Sequence, residues 1–301
     1  MAKAKFDLSI SFDKAEYLNP QLYMMADTLK DNIPEGSILH IITNRSKNDK
    51  VLKYISNNIP TKIYKKQPFK DLKSRCRYMF HCFDVDTDKD WLMKIEADLL
   101  FLKPLEEFNN ILKDEYDLVI EPENRKIFPD KIAYRLWRNI YRELRIPMPM
   151  DIIEFRENKE KGYALYGTGL VCVKSKHLNL INNKWIPLIK KCEKWINFNI
   201  HPNEFAFTAL SFKEKWNTYL YKDHFKFNPI GHFRKGDFPS VELIEDCKLP
   251  DDTVIFDYHR PAWLMHVAKY NDNIKEIVKK NKKHIPEDWW NLTSDFFQEG
   301  K

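Results

Sequence analysis

The chain has 301 residues, 43% hydrophobic and 31% charged, with a formal net charge of +6. It is long enough to bury a sizeable core, and no apolar run approaches the length of a membrane span. Only seven glycines occur and none forms a GxGxxG or Walker loop, which argues against a dinucleotide oxidoreductase or a P-loop kinase. The five cysteines, Cys76, Cys82, Cys172, Cys192 and Cys247, lack CxxC spacing, so neither a disulfide framework nor a zinc site is expected. The start Met1-Ala2-Lys3-Ala4-Lys5 leads into no secretory h-region, and the expected location is the cytoplasm.

In chain order, alternating apolar residues predict a first strand over Phe6–Phe12. Asn19-Pro20 opens a helix to about Lys30, because Pro suits a first helical turn. A strand over Ser37–Thr43, a helix over Lys47–Asn57, a strand over Thr61–Tyr64 and a helix over Lys70–Phe83 follow. Then comes the apolar run Trp91–Leu105, interrupted by Glu96-Ala97-Asp98. Beyond it the pattern predicts a strand over Asp117–Ile120, a basic helix over Lys131–Arg145, a strand over Gly169–Val173 and helices over Leu178–Lys194 and Asn203–Phe212. A last strand over Thr253–Asp257 precedes a Lys-rich stretch, Lys275–Lys283, and an aromatic end with Trp289, Trp290, Phe296 and Phe297. Strands alternating with helices predict an α/β fold whose mixed or parallel sheet is covered on both faces, in a single domain with added C-terminal helices. Ligands of such sheets gather at the carboxyl ends of strands.

Glu and Asp are poor strand formers and costly to bury. Glu96 and Asp98, one residue apart inside an apolar run, therefore need a cation, a positive side chain or solvent. Mg²⁺ and Mn²⁺ favour carboxylate oxygens and keep positions open for water and phosphates. A solvated turn is the alternative.

The run from Ile95 through Glu96-Ala97-Asp98 to Lys103-Pro104-Leu105 resembles the acid-x-acid, apolar run, Lys-Pro-Leu segment of GT-A-fold glycosyltransferases of the glycogenin and bacterial galactosyltransferase type. Tyr166-Gly167-Thr168-Gly169-Leu170-Val171 is similar to their Asn-Ser-Gly strand block, Asn203-Glu204 to their acidic helix start, and Tyr258-His259-Arg260-Pro261-Ala262-Trp263 to the segment whose late His completes the metal site. The first acid is Glu where the family has Asp, and the late block lacks the family's Gly and Lys.

The resemblance implies a GT-A, Rossmann-like mixed sheet flanked by helices: a nucleotide-sugar-binding half over 1–120, an acceptor-side half over 121–270 and a basic-aromatic tail over 271–301. It implies metal-dependent transfer of a sugar from a nucleoside-diphosphate sugar, with UDP expected, to an acceptor hydroxyl. Asp98 would hold Mn²⁺ or Mg²⁺ with His259, and Glu96 would ligate it too or contact the sugar or ribose; Ser11, Tyr17, Arg75, Thr168 and Gly169 would contact the donor. Apart from the resemblance, His266 lies seven residues on and shares the face of His259 if that segment is helical, which makes it the alternative ligand. Glu204 would act as general base or position the sugar.

Lys131, Arg135, Arg138, Arg142 and Arg145 recur at intervals of four, three, four and three residues, opposite Trp137, Ile140, Tyr141 and Leu144. Such a stripe is a solvated face or a grip for a phosphate-bearing acceptor such as DNA, a lipid diphosphate or a membrane surface. A nucleotidyltransferase, or a non-enzymatic nucleic-acid-binding protein built on this helix, would be the competing functions.

Overall fold

The computed structural model describes residues 4–72, 79–123, 130–155, 160–196, 202–221, 225–228 and 249–291. In chain order the elements are β1 (Phe6–Phe12), α1 (Asn19–Leu29), β2 (Leu39–Thr43), α2 (Lys50–Asn58), β3 (Thr61–Lys65), β4 (Trp91–Lys94), β5 (Leu99–Phe101) and β6 (Leu118–Pro122). They continue with α3 (Asp130–Leu144), β7 (Ile152–Glu154), β8 (Lys161–Tyr163), β9 (Tyr166–Lys174), α4 (Leu178–Cys192), α5 (Pro202–Lys213) and β10 (Thr218–Leu220). The last are β11 (Lys226–Phe227), β12 (Ile255–Asp257), α6 (Pro261–Tyr270), α7 (Asp272–Lys280) and α8 (Glu287–Asn291).

Seven strands form one sheet in the order β10-β6-β9-β4-β1-β2-β3. β3, β2, β1 and β4 run parallel, β9 is antiparallel to both β4 and β6, and β10 is parallel to β6. Strand alternation divides the core between the two faces. Leu118, Ile120, Val171 and Val173 pack toward α3, α4 and α5 through Trp137, Trp185 and Phe205. Val119, Leu170 and Cys172 join Phe6, Leu8 and Ile10 in packing toward α1 and α2 through Leu22, Met25, Val51 and Ile55. A smaller sheet, β11-β12-β5, is covered by α6, α7 and α8 through Leu264, Ile274 and Trp289.

Local chemistry sets several boundaries. The Asp49 side chain accepts from the amides of Val51 and Leu52 at 2.9 and 3.1 Å, so α2 begins at Lys50, three residues later than expected. α3 ends where Arg145 turns left-handed at φ 57°, with the amides of Arg145 and Ile146 donating to the carbonyls of Arg142 and Tyr141. These two bonds make a Schellman cap built without glycine, and they leave Arg145 just outside the helix. Of the helix expected over Lys70–Phe83, residues 73–78 lie outside the described residues; the flanking parts are a turn and a 3-10 turn over Met79–His81. The run Trp91–Leu105 is not one strand: β4 belongs to the large sheet and β5 to the small one, with Glu96 and Asp98 at the crossing. Among the described cysteines, Cys82, Cys172 and Cys192 are free and buried, as packing residues would be. No described helix is long and apolar enough to cross a membrane.

Candidate metal and donor site

The two sheets meet at the carboxyl end of β4. The Ile95 amide donates to the Ser9 carbonyl, keeping β4 beside β1 until the chain turns at Glu96. It re-enters as β5, antiparallel to β12 with Leu99 opposite Asp257, and the Tyr258 amide donates to the Asp98 carbonyl at 3.2 Å. This register places Asp98 beside the end of β12. His259 then takes a left-handed backbone at φ 52°, and the Arg260 amide donates back to the Tyr258 carbonyl. A positive φ at a non-glycine residue costs energy and persists where the surroundings over-determine it. Here it brings the imidazole back over the acids, with Nδ1 3.8 Å from Asp98 Oδ2.

Asp98, Asp257 and His259 each offer one ligand atom, and the three atoms lie within 4.8 Å of one another. Asp257 is buried, Asp98 is mostly covered, and His259 is half exposed, so the group opens toward solvent on the imidazole side. Burial, then the charges of Asp257 and Glu96, push the Asp98 carboxyl well above the usual carboxylate range. Burial acts on Asp257 in the same direction, but Lys226, His259 and Asn228 outweigh it and hold that carboxyl low.

Behind this group lies a layer of buried charge. Lys226, itself buried, bridges Glu121 Oε1 at 2.6 Å and Asp257 Oδ2 at 2.8 Å. Lys94, also buried, contacts Glu96 Oε1 at 2.5 Å and the Thr168 carbonyl. β9 can pass this layer because it carries glycine there. A Cβ on Gly169 would stand 2.8 Å from Lys226 Nζ, and one on Gly167 would stand 3.0 Å from Glu121 Cγ. Thr168, between them, accepts at Oγ1 from Asn203 Nδ2 at 2.9 Å, which ties β9 to the first turn of α5. The next residue, Glu204, is buried. Burial, a hydrogen bond with Glu123 and the nearby charges of Glu123, Glu96 and Glu121 push its carboxyl well above the usual range.

The expected site residues fall into four groups. Asp98 and His259 lie in the three-residue ligand group, whereas Glu96 faces Lys94 and lies outside it. His266 also lies outside: His259 precedes α6 and His266 sits within it, so no common helical face relates the two. Thr168, Gly169 and Glu204 line the charge layer behind. Ser11 and the exposed Tyr17 follow the same carboxyl-end edge, at the end of β1 and in the turn after it. Arg75 lies outside the described residues. Lys131, Arg135, Arg138 and Arg142 are exposed on α3, and Arg145 caps it. Sequence reasoning missed Asp257, Lys226, Glu121 and Lys94. Only Asp257 had a signal, the acid-x-His spacing of Asp257-Tyr258-His259 at a strand end.

The residues fit a divalent cation. Asp257 Oδ1 is buried with no hydrogen-bond partner, an arrangement that native proteins avoid unless the atom serves something else. Glu96, Glu121 and Asp257 contact two buried lysines, and the charges of these acids reach Asp98 and Glu204 beside them. Two carboxylates and an imidazole suit Mn²⁺ better than Mg²⁺, because nitrogen ligands favour the transition metal.

No protein-family model matches the sequence, and no curated protein matches it by sequence. Solved structures do match. A galactosyltransferase, LgtC, in complex with donor and acceptor sugar analogs, aligns with 95% of this chain and 99% of its own at TM-score 0.56 and 11% identity. Mouse xyloside xylosyltransferase 1 aligns with 85% of this chain and 98% of its own at TM-score 0.52 and 10% identity. The glycosyltransferase GlyE of Streptococcus pneumoniae aligns with 98% of this chain, which spans 63% of GlyE, at TM-score 0.55 and 13% identity. The mixed seven-stranded α/β sheet of this chain is therefore the GT-A glycosyltransferase fold, shared over nearly its whole length.

Proposed function

We propose that the chain is a divalent-metal-dependent glycosyltransferase that moves a sugar from a nucleoside-diphosphate sugar, UDP being the expected nucleotide, to an acceptor hydroxyl. The observation that carries this reading is the group Asp98, Asp257 and His259, with its unsatisfied Asp257 oxygen, at the carboxyl-end edge of a GT-A sheet. Asp98, Asp257 and His259 would hold the ion, which when bound supplies charge stabilisation to a leaving diphosphate.

The chain's own groups divide the remaining work. Tyr17 is exposed beside the end of β1 and can stack on a base, while Ser11 offers a hydroxyl at the same edge. Lys94 and Lys226 hold Glu96, Glu121 and Asp257 in place, and the glycines of β9 let that layer approach the backbone. Glu204, as the resemblance implies, would accept the acceptor's proton as the new C–O bond forms and the bond to the diphosphate breaks, or position the sugar.

A nucleotidyltransferase would need a second acidic ligand group, and among the described residues Asp98, Asp257 and His259 form the one found. The test is a nucleotide-sugar panel with Mn²⁺, scored by released nucleoside diphosphate. The account expects turnover of at least one donor, abolished by chelation; no release from any donor with either Mn²⁺ or Mg²⁺ would overturn it.

A further inference from the structure

The cations of α3 do not stand alone on that surface. Eight large hydrophobic side chains are exposed among the described residues, and five of them, Ile132, Tyr134, Met150, Ile152 and Trp195, lie on α3, on the adjoining β7 segment, or against α3. The Tyr134 ring lies 6.0 Å from that of Tyr163, which pairs across the β7–β8 hairpin with Ile152. Trp195 reaches α3 through its indole N–H, which donates to Glu143 at 2.8 Å.

At a hundred degrees per residue, Lys131, Arg135, Arg138 and Arg142 form one ridge pointing away from the buried Trp137, Ile140, Tyr141 and Leu144. Ile132 and Tyr134 flank the ridge on its two sides. None of the four cations has an ion-pair partner among the described residues, whereas Glu143, the acid within this stretch of helix, is engaged by Lys194 at 3.0 Å. On the hairpin, the exposed Glu154 stands opposite the exposed Lys161.

Cations alone would suit any polyanion. Aliphatic side chains held 49 and 54% exposed at Ile132 and Ile152, with Met150 at 64%, gain nothing from a sugar-phosphate backbone. They gain by leaving water at the boundary between headgroups and acyl chains, where Tyr and Trp also settle and where Lys and Arg reach the phosphates. We propose that α3 and the β7–β8 hairpin form a docking face for an anionic lipid bilayer, with the arginine ridge on the headgroup phosphates and Ile132, Tyr134, Met150 and Ile152 beside it at the interfacial level. This inference stands on the surface alone, so it holds or fails apart from the proposed transfer reaction.

The experiment is sedimentation of the full chain with vesicles of phosphatidylcholine, or of phosphatidylcholine with phosphatidylglycerol. Three proteins are compared: wild type, Arg135→Glu/Arg138→Glu, and Ile132→Ser/Ile152→Ser. All four positions are exposed, and unchanged circular dichroism and melting confirm the fold. Wild type should partition onto the anionic vesicles and not onto the neutral ones. Charge reversal should lower that partition about tenfold or more, and the serine pair should lower it severalfold at unchanged net charge. Equal partition onto both vesicle types, or none onto either, would overturn the proposal. So would duplex DNA binding that falls in the charge reversal and is untouched in the serine pair while no vesicle binding is seen, which would assign the ridge to nucleic acid.

Discussion

Two carboxylate centres in this molecule are built on opposite principles. Asp27 in α1 is surrounded by groups that favour its charge: Lys30 at 2.6 Å, Lys280 at 3.1 Å, the Tyr54 hydroxyl at 3.0 Å and the Asn281 amide at 3.2 Å. Burial alone would raise its pKa, yet these partners bring it down to about 2. Asp98, after β4, and Glu204, in the first turn of α5, are covered and have other acids as neighbours, so both are pushed upward. The first centre ties α1 to α2 through Tyr54 and to α7 and the residue after it through Lys280 and Asn281. At the second, acids have other acids as neighbours, which sets it apart from an ion-paired tie between helices.

The comparison breaks most sharply at Asp98. Asp98→Asn should abolish metal-dependent donor turnover, a loss of about a hundredfold or more as for a missing electrostatic partner of the transition state. Its metal-free fold should survive, because the amide matches the carboxyl in size and brings no charge into a covered site; kinetics beside a thermal melt measure both. Near-wild-type turnover would take the metal role away from this residue.

Asp27→Asn should behave in the opposite way, leaving turnover of the folded protein unchanged and costing about 2 kcal/mol in chemical denaturation, discounted for the exposed ends of Lys30 and Lys280. The pH dependence has a fixed sign. A depressed carboxylate stabilises the fold above its unfolded value near 3.8 and loses that contribution as pH falls toward about 2. The wild type should therefore lose stability relative to Asp27→Asn across that window, and parallel acid melts would contradict the assignment.

Much of the fold was legible in the sequence, and the site only in part. β1, α1, α4 and α5 follow from period-2 and period-3.6 patterns and lie within two residues of expectation. The buried face of α3 was equally plain, since Trp137, Ile140, Tyr141 and Leu144 recur at helical spacing. Asp98 and His259 stood out because a charged residue within or beside an apolar strand needs a reason. Lys226 and Glu121 carried no such mark. They are separated by 105 positions and meet only because β6 and β11 converge behind Gly169, a long-range contact that periodicity cannot register. β5, β11 and β10 span three, two and three residues, too short for an alternating pattern to show.

Smaller changes sharpen the contrast. Gly169→Ala should drive a Cβ against Lys226 Nζ, whose two ion pairs leave it little room to move, and cost about 1–2 kcal/mol of stability together with weaker metal affinity. Unchanged denaturation and metal titration would show that the lysine gives way freely. The smallest effect belongs to Arg145→Gly, which relieves the left-handed cap of α3 and should raise stability by about 0.5–1 kcal/mol by urea melt. A loss would mean that Arg145 makes contacts worth more than its strain.

The most direct test is calorimetric titration of Mn²⁺ into the wild type and Asp257→Asn, since Asp257 belongs to the geometry and to no motif read from the sequence. The account predicts one ion bound per wild-type chain and an affinity at least about tenfold weaker in the variant, whose amide lacks the carboxylate's charge. Equal affinity in both proteins, or no binding to the wild type, would contradict it.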